Sequence, residues 1–394
     1  KSEGTNFTGS LLIGHSNTGV INNAQNNVGV GIGALDALTS GDHNIAIGKD
    51  AGTSINSGSR NITIGYQTGH VITSGADNIA IGRGALATED GHGRNIAIGT
   101  YALQDQNAGA DAYNIAIGYE AGKNITTGLN NTIIGGLAGD ALSTGGYNIA
   151  LGYEALSTED TGNKNVAIGW RALKTQNNND DNFNVAIGHA AGQVITTGIR
   201  NVIIGGLAGD ALTTSEGSVA IGYNSLSSET TGNYNVAIGE FALQNQDGAS
   251  NNTAVGREAG RQITTGQQNT IIGSIAGDAL TVGERNTALG YSALSAEDTG
   301  GHNTAIGYRA LSQLNYDGNG YNTTVGSDAG RKVSTGIQNT IIGGLAGDAL
   351  TTGDNNVAIG YLSLSTEDAH GRNVAVGAYA LKDQNAGAQA YNVA

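Results

Sequence analysis

The chain of 394 residues contains no cysteine, no proline and no methionine. The absence of cysteine excludes disulfides and thiolate metal sites, and it leaves the redox compartment open. Proline would remove backbone donors from a sheet, so its absence agrees with a sheet that repeats from end to end.

Basic clusters and long apolar runs are missing as well. The formal net charge is −15, with lysine and arginine dispersed along the chain, which argues against nucleic acid as a partner. No apolar run approaches the length of a membrane span, and no signal peptide is visible. No Ser/His/Asp, Cys/His or paired-carboxylate constellation interrupts the pattern, so we expect neither an enzyme nor a cofactor or metal site.

What the chain does contain is one short phrase, repeated throughout. The phrase is Asn, an aliphatic residue or Thr, usually Ala, an aliphatic residue, then Gly, as in NIAIG at residues 44–48. It recurs from residue 10 to residue 392 at intervals of 17 or, less often, 19 residues. A fixed period of this length is typical of solenoid arrays. We number each repeat from its Asn as position 0, which places the Gly at position 4.

A longer cycle is superimposed on this period. Repeats come in four kinds in fixed order, exemplified by residues 114–130, 339–355, 148–164 and 95–113. The cycle measures about 70 residues. It could separate like charges on neighbouring coils, or it could record duplication of a four-repeat segment. We expect residues 1–394 to form one continuous array without a linker.

Each repeat predicts one coil of a solenoid. Positions 1–3 are apolar or Thr and often β-branched, which predicts a short strand ending at the Gly. Both faces of this strand are apolar, as in a parallel sheet. A second short strand is expected at positions 7–11, for example residues 155–159, and polar turn formers fill the rest. The predicted fold is therefore an all-β parallel roll of about 22 coils, which at roughly 4.8 Å per coil would extend about 105 Å.

Two positions have a structural role in this prediction. The asparagines should stack as a buried amide ladder that bonds the coils above and below. The glycines should adopt positive φ or a close backbone approach, so that Gly169→Val would lower stability. The ladder residues singled out are Asn44, Asn61, Asn78, Asn95, Asn114, Asn131, Asn148 and Asn165, and the turn glycines are Gly48, Gly65, Gly82, Gly99, Gly118, Gly135, Gly152 and Gly169.

A thin coil has little interior, so one chain is not expected to be sufficient. Each coil offers a few aliphatic side chains, worth roughly 1.5–3 kcal/mol each when buried. The conformational entropy lost when 17 residues become ordered costs on the order of 25 kcal/mol. Because both faces of the first strand are apolar, we expect a homo-oligomer with chains packed side by side along their length.

Several patterns resemble chemical sites but have simpler interpretations. The glycine-rich run at residues 133–142 recurs in an array without helical periodicity, so it does not predict a dinucleotide site. Acidic pairs such as Glu159-Asp160 could bind Ca²⁺, but we expect solvated loops. The seven histidines, including His15, are expected at the surface. The aromatic residues that follow the turn glycine, such as Tyr153, could stack on sugars, although packing over the turn is the preferred interpretation.

The repeated phrase resembles two families of fibrous proteins. NTAIGYRAL at residues 303–311 and NIALGYEAL at residues 148–156 are similar to the repeats of phage tail-fibre shafts. They also resemble the shorter repeats in YadA-like heads of trimeric autotransporter adhesins. The resemblance spans residues 10–394 and implies a left-handed parallel roll, three chains about one axis and an extended adhesive fibre.

Three functions follow as expectations from this resemblance. The first is a tail-fibre shaft on a virion that presents a cell-surface-binding tip for host attachment. The second is a bacterial surface adhesin that binds matrix or glycans along its length, and the third is a self-assembling extracellular filament. All three are extracellular. Because the chain starts without Met and stops within a phrase, we expect a segment of a longer polypeptide whose receptor contact lies elsewhere.

Overall fold

The computed structural model describes residues 2–4, 7–14, 21–385, 387 and 391–394, and His15 lies outside these residues. Within the described residues the secondary structure is β-strand and turn, and each repeat contributes one strand. The same residues include no helix long and apolar enough to cross a membrane. The prediction of an all-β solenoid of stacked coils is confirmed.

Strand β1 precedes the array, and strands β2 to β23 follow the repeats in order. Their bounds are β1 Ser2–Gly4, β2 Phe7–Ile13, β3 Val28–Val30, β4 Ile45–Ile47, β5 Ile62–Ile64, β6 Ile79–Ile81, β7 Ile96–Ile98, β8 Ile115–Ile117, β9 Thr132–Ile134, β10 Ile149–Leu151, β11 Val166–Ile168, β12 Val185–Ile187, β13 Val202–Ile204, β14 Val219–Ile221, β15 Val236–Ile238, β16 Thr253–Val255, β17 Thr270–Ile272, β18 Thr287–Leu289, β19 Thr304–Ile306, β20 Thr323–Val325, β21 Thr340–Ile342, β22 Val357–Ile359 and β23 Val374–Val376.

The chain divides into two compact units, Lys1–Arg200 and Asn201–Ala394. In the first unit, β1 pairs antiparallel with β2, and β2 to β12 pair in sequence as parallel neighbours. In the second unit, β13 to β23 pair in the same parallel manner. The register is that of the repeat, so that equivalent positions lie beside one another, as Ala150 lies beside Ala167.

Side chains along each strand alternate between the interior of the coil and an outer face. In β10, Ala150 is fully buried, whereas Ile149 and Leu151 point outward and remain partly exposed. The small residue of this strand therefore faces the narrow interior, and the two large aliphatic residues face away from it. This arrangement leaves the wider apolar side of the sheet uncovered within the chain.

The second strand predicted for each coil is absent from the described residues, and that prediction is wrong. Residues 155–159 form the end of a turn followed by irregular backbone, and the backbone at Glu154 (φ 54°) and Leu156 (φ 53°) is left-handed. Strand dihedrals are incompatible with this conformation. Hydrogen bonding between coils nevertheless continues, since the Leu156 N–H donates to the Ala172 carbonyl at 3.0 Å.

Packing inside the coils provides a physical basis for the four-repeat cycle. Repeats of the first and second kinds carry Gly at position 8 and an aliphatic residue at position 11, as in Gly122 and Ile125. The third and fourth kinds carry Leu at position 8 and usually Glu or Gln at position 11, as in Leu103 and Gln106. A Cβ on Gly122 would lie 2.9 Å from Ile125 Cδ1 and 3.2 Å from Leu103 Cδ2. Leucine at position 8 of a coil of the fourth kind thus fills space left by glycine in the following coil of the first kind.

Candidate interaction surface and turn sites

The asparagines at position 0 are linked by hydrogen bonds from coil to coil, and these bonds run mainly from side chain to backbone. All eight predicted ladder asparagines are fully buried. The Asn148 N–H donates to Asn131 Oδ1 at 3.0 Å, and the Asn165 N–H donates to Asn148 Oδ1 at 2.9 Å. Asn148 Nδ2 donates to the Gly162 carbonyl in its own coil at 2.9 Å. The Asn148 amide therefore satisfies backbone groups that the turn would otherwise bury unpaired, whereas Asn95 Nδ2 and both side-chain polar atoms of Asn165 are buried without a partner.

One coil replaces this amide with two hydroxyl groups. Ser218 takes the place of the ladder Asn, and its Oγ accepts the N–H of Asn235 at 3.3 Å. The bond that Asn would give to the Gly232 carbonyl comes instead from Ser215 Oγ. Position 14, which Ser215 occupies here, is Gly in most other coils. The two serines together thus replace both hydrogen bonds that one Asn makes elsewhere, the bond to the carbonyl and the bond from the N–H of the next coil.

The predicted turn glycines adopt the expected backbone conformation. All eight have φ between 127° and 141°, a region that is essentially restricted to glycine. Each also meets the carbonyl of the equivalent glycine in the next coil: a Cβ on Gly169 would lie 2.6 Å from the Gly188 carbonyl carbon. Position 4 therefore combines positive φ with close approach of the backbone of the next coil.

Positions 1 and 3 of successive strands make up an apolar outer face in each unit. In the first unit, Ile47 is 40% exposed and Ile149 is 38% exposed; in the second unit, Leu289 is 43% exposed. These are the β-branched and aliphatic side chains that a buried sheet would cover. In the second unit, position 1 is Thr in six successive coils, a feature that we did not single out from the sequence: Thr253, Thr270, Thr287, Thr304, Thr323 and Thr340.

Exposed aromatic residues lie at both ends of the strands. Those after the turn glycine are 37–55% exposed, and some contact each other, as Tyr291 and Tyr308 do with ring centroids 5.6 Å apart. A second set immediately precedes the ladder Asn and is 48–61% exposed; sequence reasoning missed it, although its fixed place in the repeat was the available signal. Its members are Tyr113, Tyr147, Phe183, Tyr234, Tyr321 and Tyr391.

Basic residues of the preceding coil accompany several members of the second aromatic set. The Arg94 guanidinium lies 5.4 Å from the centre of the Tyr113 ring, and Lys164 Nζ lies 5.0 Å from the centre of the Phe183 ring. Cation–π contacts of this kind hold an aromatic ring at a defined place on the surface.

The acidic pairs are not simply solvated loops, and that prediction is wrong for their glutamates. Glu159 is fully buried, as are its counterparts at position 11 in other coils of the third kind. Glu159 Oε1 accepts the N–H of Gly162 at 2.8 Å, so the carboxylate closes the turn from inside. Burial raises the pKa values of Glu89, Glu159 and Glu297. The sequence did not predict this burial, because a charged residue between turn-forming residues is expected at the surface.

A second set of carboxyl groups is partly buried in repeats of the second kind. Asp140 Oδ1 is buried without a hydrogen-bond partner. Burial, reinforced by the charges of Glu120 and Glu154, raises the pKa of Asp140 to about 6. Burial likewise raises the pKa values of its equivalents, Asp210, Asp278 and Asp348.

We expect Asp140→Asn to stabilise the chain at pH 8 and to have little effect at pH 4. A carboxyl group whose pKa is higher in the folded state favours folding below about pH 4, and this contribution is lost as the pH rises through 6. Removing the charge should therefore raise the unfolding free energy at pH 8 by on the order of 1–2 kcal/mol, allowing for solvent screening. Urea unfolding midpoints at the two pH values measure this. Asp180→Asn, at an exposed loop position, is the control, and an equal gain from both variants would contradict the explanation.

Comparison with known proteins does not assign the chain to a family. Neither the protein-family models nor the curated protein sequences include a significant match.

Proposed function

We propose that this chain is the shaft of an extracellular fibre, in which three copies pack along their outer faces and carry a tip that binds a cell surface. A phage tail fibre used for host attachment is the form we favour, because the repeat phrase resembles such shafts. The observation that carries the proposal is the apolar outer face at positions 1 and 3, which continues from coil to coil within each unit.

A second copy of the same chain is the occupant best suited to this face. The face repeats with the strand spacing of roughly 4.8 Å, so a partner that covers it throughout must repeat at the same spacing. Another copy has that repeat and presents the same columns of aliphatic and threonine side chains. Exposed contiguous apolar surface of this kind is typical of protein interfaces.

Analytical ultracentrifugation of the tag-free chain tests this proposal, since it reports mass and elongation together. We expect a particle of three times 39.6 kDa with a high frictional ratio. Replacing Ile45 and Ile47 with lysine should weaken the oligomer, so that a larger fraction sediments as single chains at low concentration, because three sets of buried charges would then lack partners. Ala110→Lys, in an exposed loop, should leave the oligomer intact. A single-chain mass for the folded native protein would refute the proposal.

The exposed aromatic residues favour a second candidate, an adhesin that binds glycans along its length. Aromatic faces bind sugars by covering their apolar side, and rings such as Tyr113 and Tyr147 are half exposed. A shaft whose receptor contact lies elsewhere should not bind cells by itself. If purified chain binds cells and Tyr113→Ser with Tyr147→Ser abolishes binding, the adhesin becomes the better proposal.

A further inference from the structure

Two coils of the third kind differ from the other three in the turn that contains the buried glutamate. Their sequences are EDGHGR at residues 89–94 and EDAHGR at residues 367–372. The other three read EDTGNK, ETTGNY and EDTGGH at residues 159–164, 229–234 and 297–302. Position 14 is thus histidine in two coils and glycine in three. One histidine-containing turn lies in each compact unit.

The backbone of this turn is closed in the same way in both types of coil. Glu89 Oε1 accepts the N–H of His92 at 3.1 Å, and Glu367 Oε1 accepts the N–H of His370 at 3.1 Å. Gly162 donates equivalently to Glu159 at 2.8 Å. The histidine side chain is therefore an addition to a turn that forms without it.

The second glutamate oxygen distinguishes the first histidine-containing turn from the glycine turns. Glu159 Oε2 accepts a bond from Asn182 Nδ2 at 3.0 Å, and Glu229 Oε2 accepts one from Gln246 Nε2 at 2.9 Å. Glu89 is fully buried, yet its Oε2 has no hydrogen-bond partner, and neither does His92 Nδ1. This turn thus contains two buried polar atoms that are left unsatisfied, a condition that folded proteins rarely tolerate.

These atoms belong to a compact set of three possible ligands. In each turn one carboxylate oxygen of the Glu, one of the Asp and one histidine nitrogen lie within 4.8 Å of one another. The separation of Nδ1 from Glu Oε1 is 3.9 Å for His92 and 3.2 Å for His370. Ligand atoms bound tetrahedrally to zinc at 2.0–2.2 Å lie roughly 3.3–3.5 Å apart. The observed separations bracket this value, so small side-chain rotations would complete the geometry.

We propose that the two turns, Glu89-Asp90-His92 and Glu367-Asp368-His370, each bind one divalent transition-metal ion of the zinc class. Two carboxylates and one imidazole supply three ligands and two negative charges, and water would complete the tetrahedron. The imidazole selects zinc over Ca²⁺ and Mg²⁺, which prefer oxygen ligands alone. Because Asp90 is exposed and His92 is partly exposed, the ion can enter from solvent. The proposal is independent of whether the chain forms a fibre.

The glycine turns lack room for such a site. A Cβ on Gly162 would lie 2.5 Å from Glu159 Cδ, and the Asn182 amide is closer still. The Oε2 atom of Glu159 is already bonded to that amide, whereas the Oε2 atom of Glu89 has no partner. The glycine turns also show that glycine at position 14 is compatible with the fold. Replacement of the histidine by glycine should therefore remove the metal ligand without unfolding the turn.

Equilibrium dialysis of the tag-free full chain against Zn²⁺, with elemental analysis, tests the proposal. We expect two zinc ions per chain, one after His92→Gly or His370→Gly, and none after both. Glu89→Gln, which keeps the shape and one acceptor oxygen, should also lose one ion. His302→Gly, outside either turn, is the control and should retain two. Circular dichroism confirms that each variant is folded.

Three results would overturn the inference. One is zinc binding by the double glycine variant equal to that of the native chain. Another is no zinc binding by the folded native chain at about 100 μM zinc, a concentration at which a site with a micromolar Kd would be filled. The third is Ca²⁺ binding at these turns that the histidine substitutions leave unchanged, because the ligands would then be carboxylates alone.

Discussion

Gly135→Ala is expected to lower the unfolding free energy by on the order of 3–5 kcal/mol, the range of the most disruptive single substitutions. Gly135 has φ +138°, where an alanine side chain adds strain of about 1–3 kcal/mol. Its new methyl group would also lie 2.6 Å from the Gly152 carbonyl carbon. Relieving that overlap requires separation of adjacent coils, which weakens the hydrogen bonds that join them.

The neighbouring residue is a matched control for this experiment. Gly136 does not have positive φ, and a methyl group there would meet only the Tyr153 ring at an ordinary 3.6 Å. Gly136→Ala should therefore change the free energy by less than about 0.5 kcal/mol. Midpoints of thermal unfolding, followed by circular dichroism at equal chain concentration, compare the two. A similar loss from both variants would show that position 4 has no special requirement.

The fold could be predicted from the sequence because the same residue types recur at the same positions in every repeat. Asn at position 0 and Gly at position 4 have roles that follow from their chemistry, and the period supplies the stacking. The segment at positions 7–11 was wrongly predicted as a strand because Ala, Leu and Thr permit extended backbone. What decides its conformation is the left-handed backbone at positions 6 and 8, as at Glu154 and Leu156. Leucine rarely adopts that conformation, so a leucine at position 8 did not predict a left-handed turn there.

The side-chain sites were harder to predict, because burial in a turn depends on how the coil closes. Glu159 lies between turn formers and is expected in water, yet its carboxylate accepts backbone N–H groups inside the coil. The proximity of His92 to Glu89 likewise depends on this closure, since a spacing of three residues brings two side chains together on a helix but does not by itself do so in a turn. The outer face was foreseen, because alternation in a strand assigns positions 1 and 3 to one side.

Asn148→Leu is expected to destabilise the chain by about 3–5 kcal/mol, since it removes two bonds to buried backbone groups. The Gly162 carbonyl would lose its bond from Nδ2, and the Asn165 N–H would lose its acceptor Oδ1. Leucine is similar in size but offers no polar atom to either group. Unfolding midpoints measure the effect, with Asn107→Leu at an exposed site as the control. Equal midpoints for the two variants would contradict a role for the ladder in stability.

Asn148→Ser should give an intermediate loss of about 1–3 kcal/mol and so separate the two bonds. A serine hydroxyl can still accept the N–H of the next coil, as Ser218 does for Asn235. At residue 148, however, position 14 of the preceding coil is Gly145, which has no hydroxyl to replace the contribution of Ser215. The Gly162 carbonyl would stay unpaired while the Asn165 N–H is satisfied. The order native, Ser, Leu is therefore expected for decreasing stability, because stability follows the number of paired backbone groups rather than the size of the side chain.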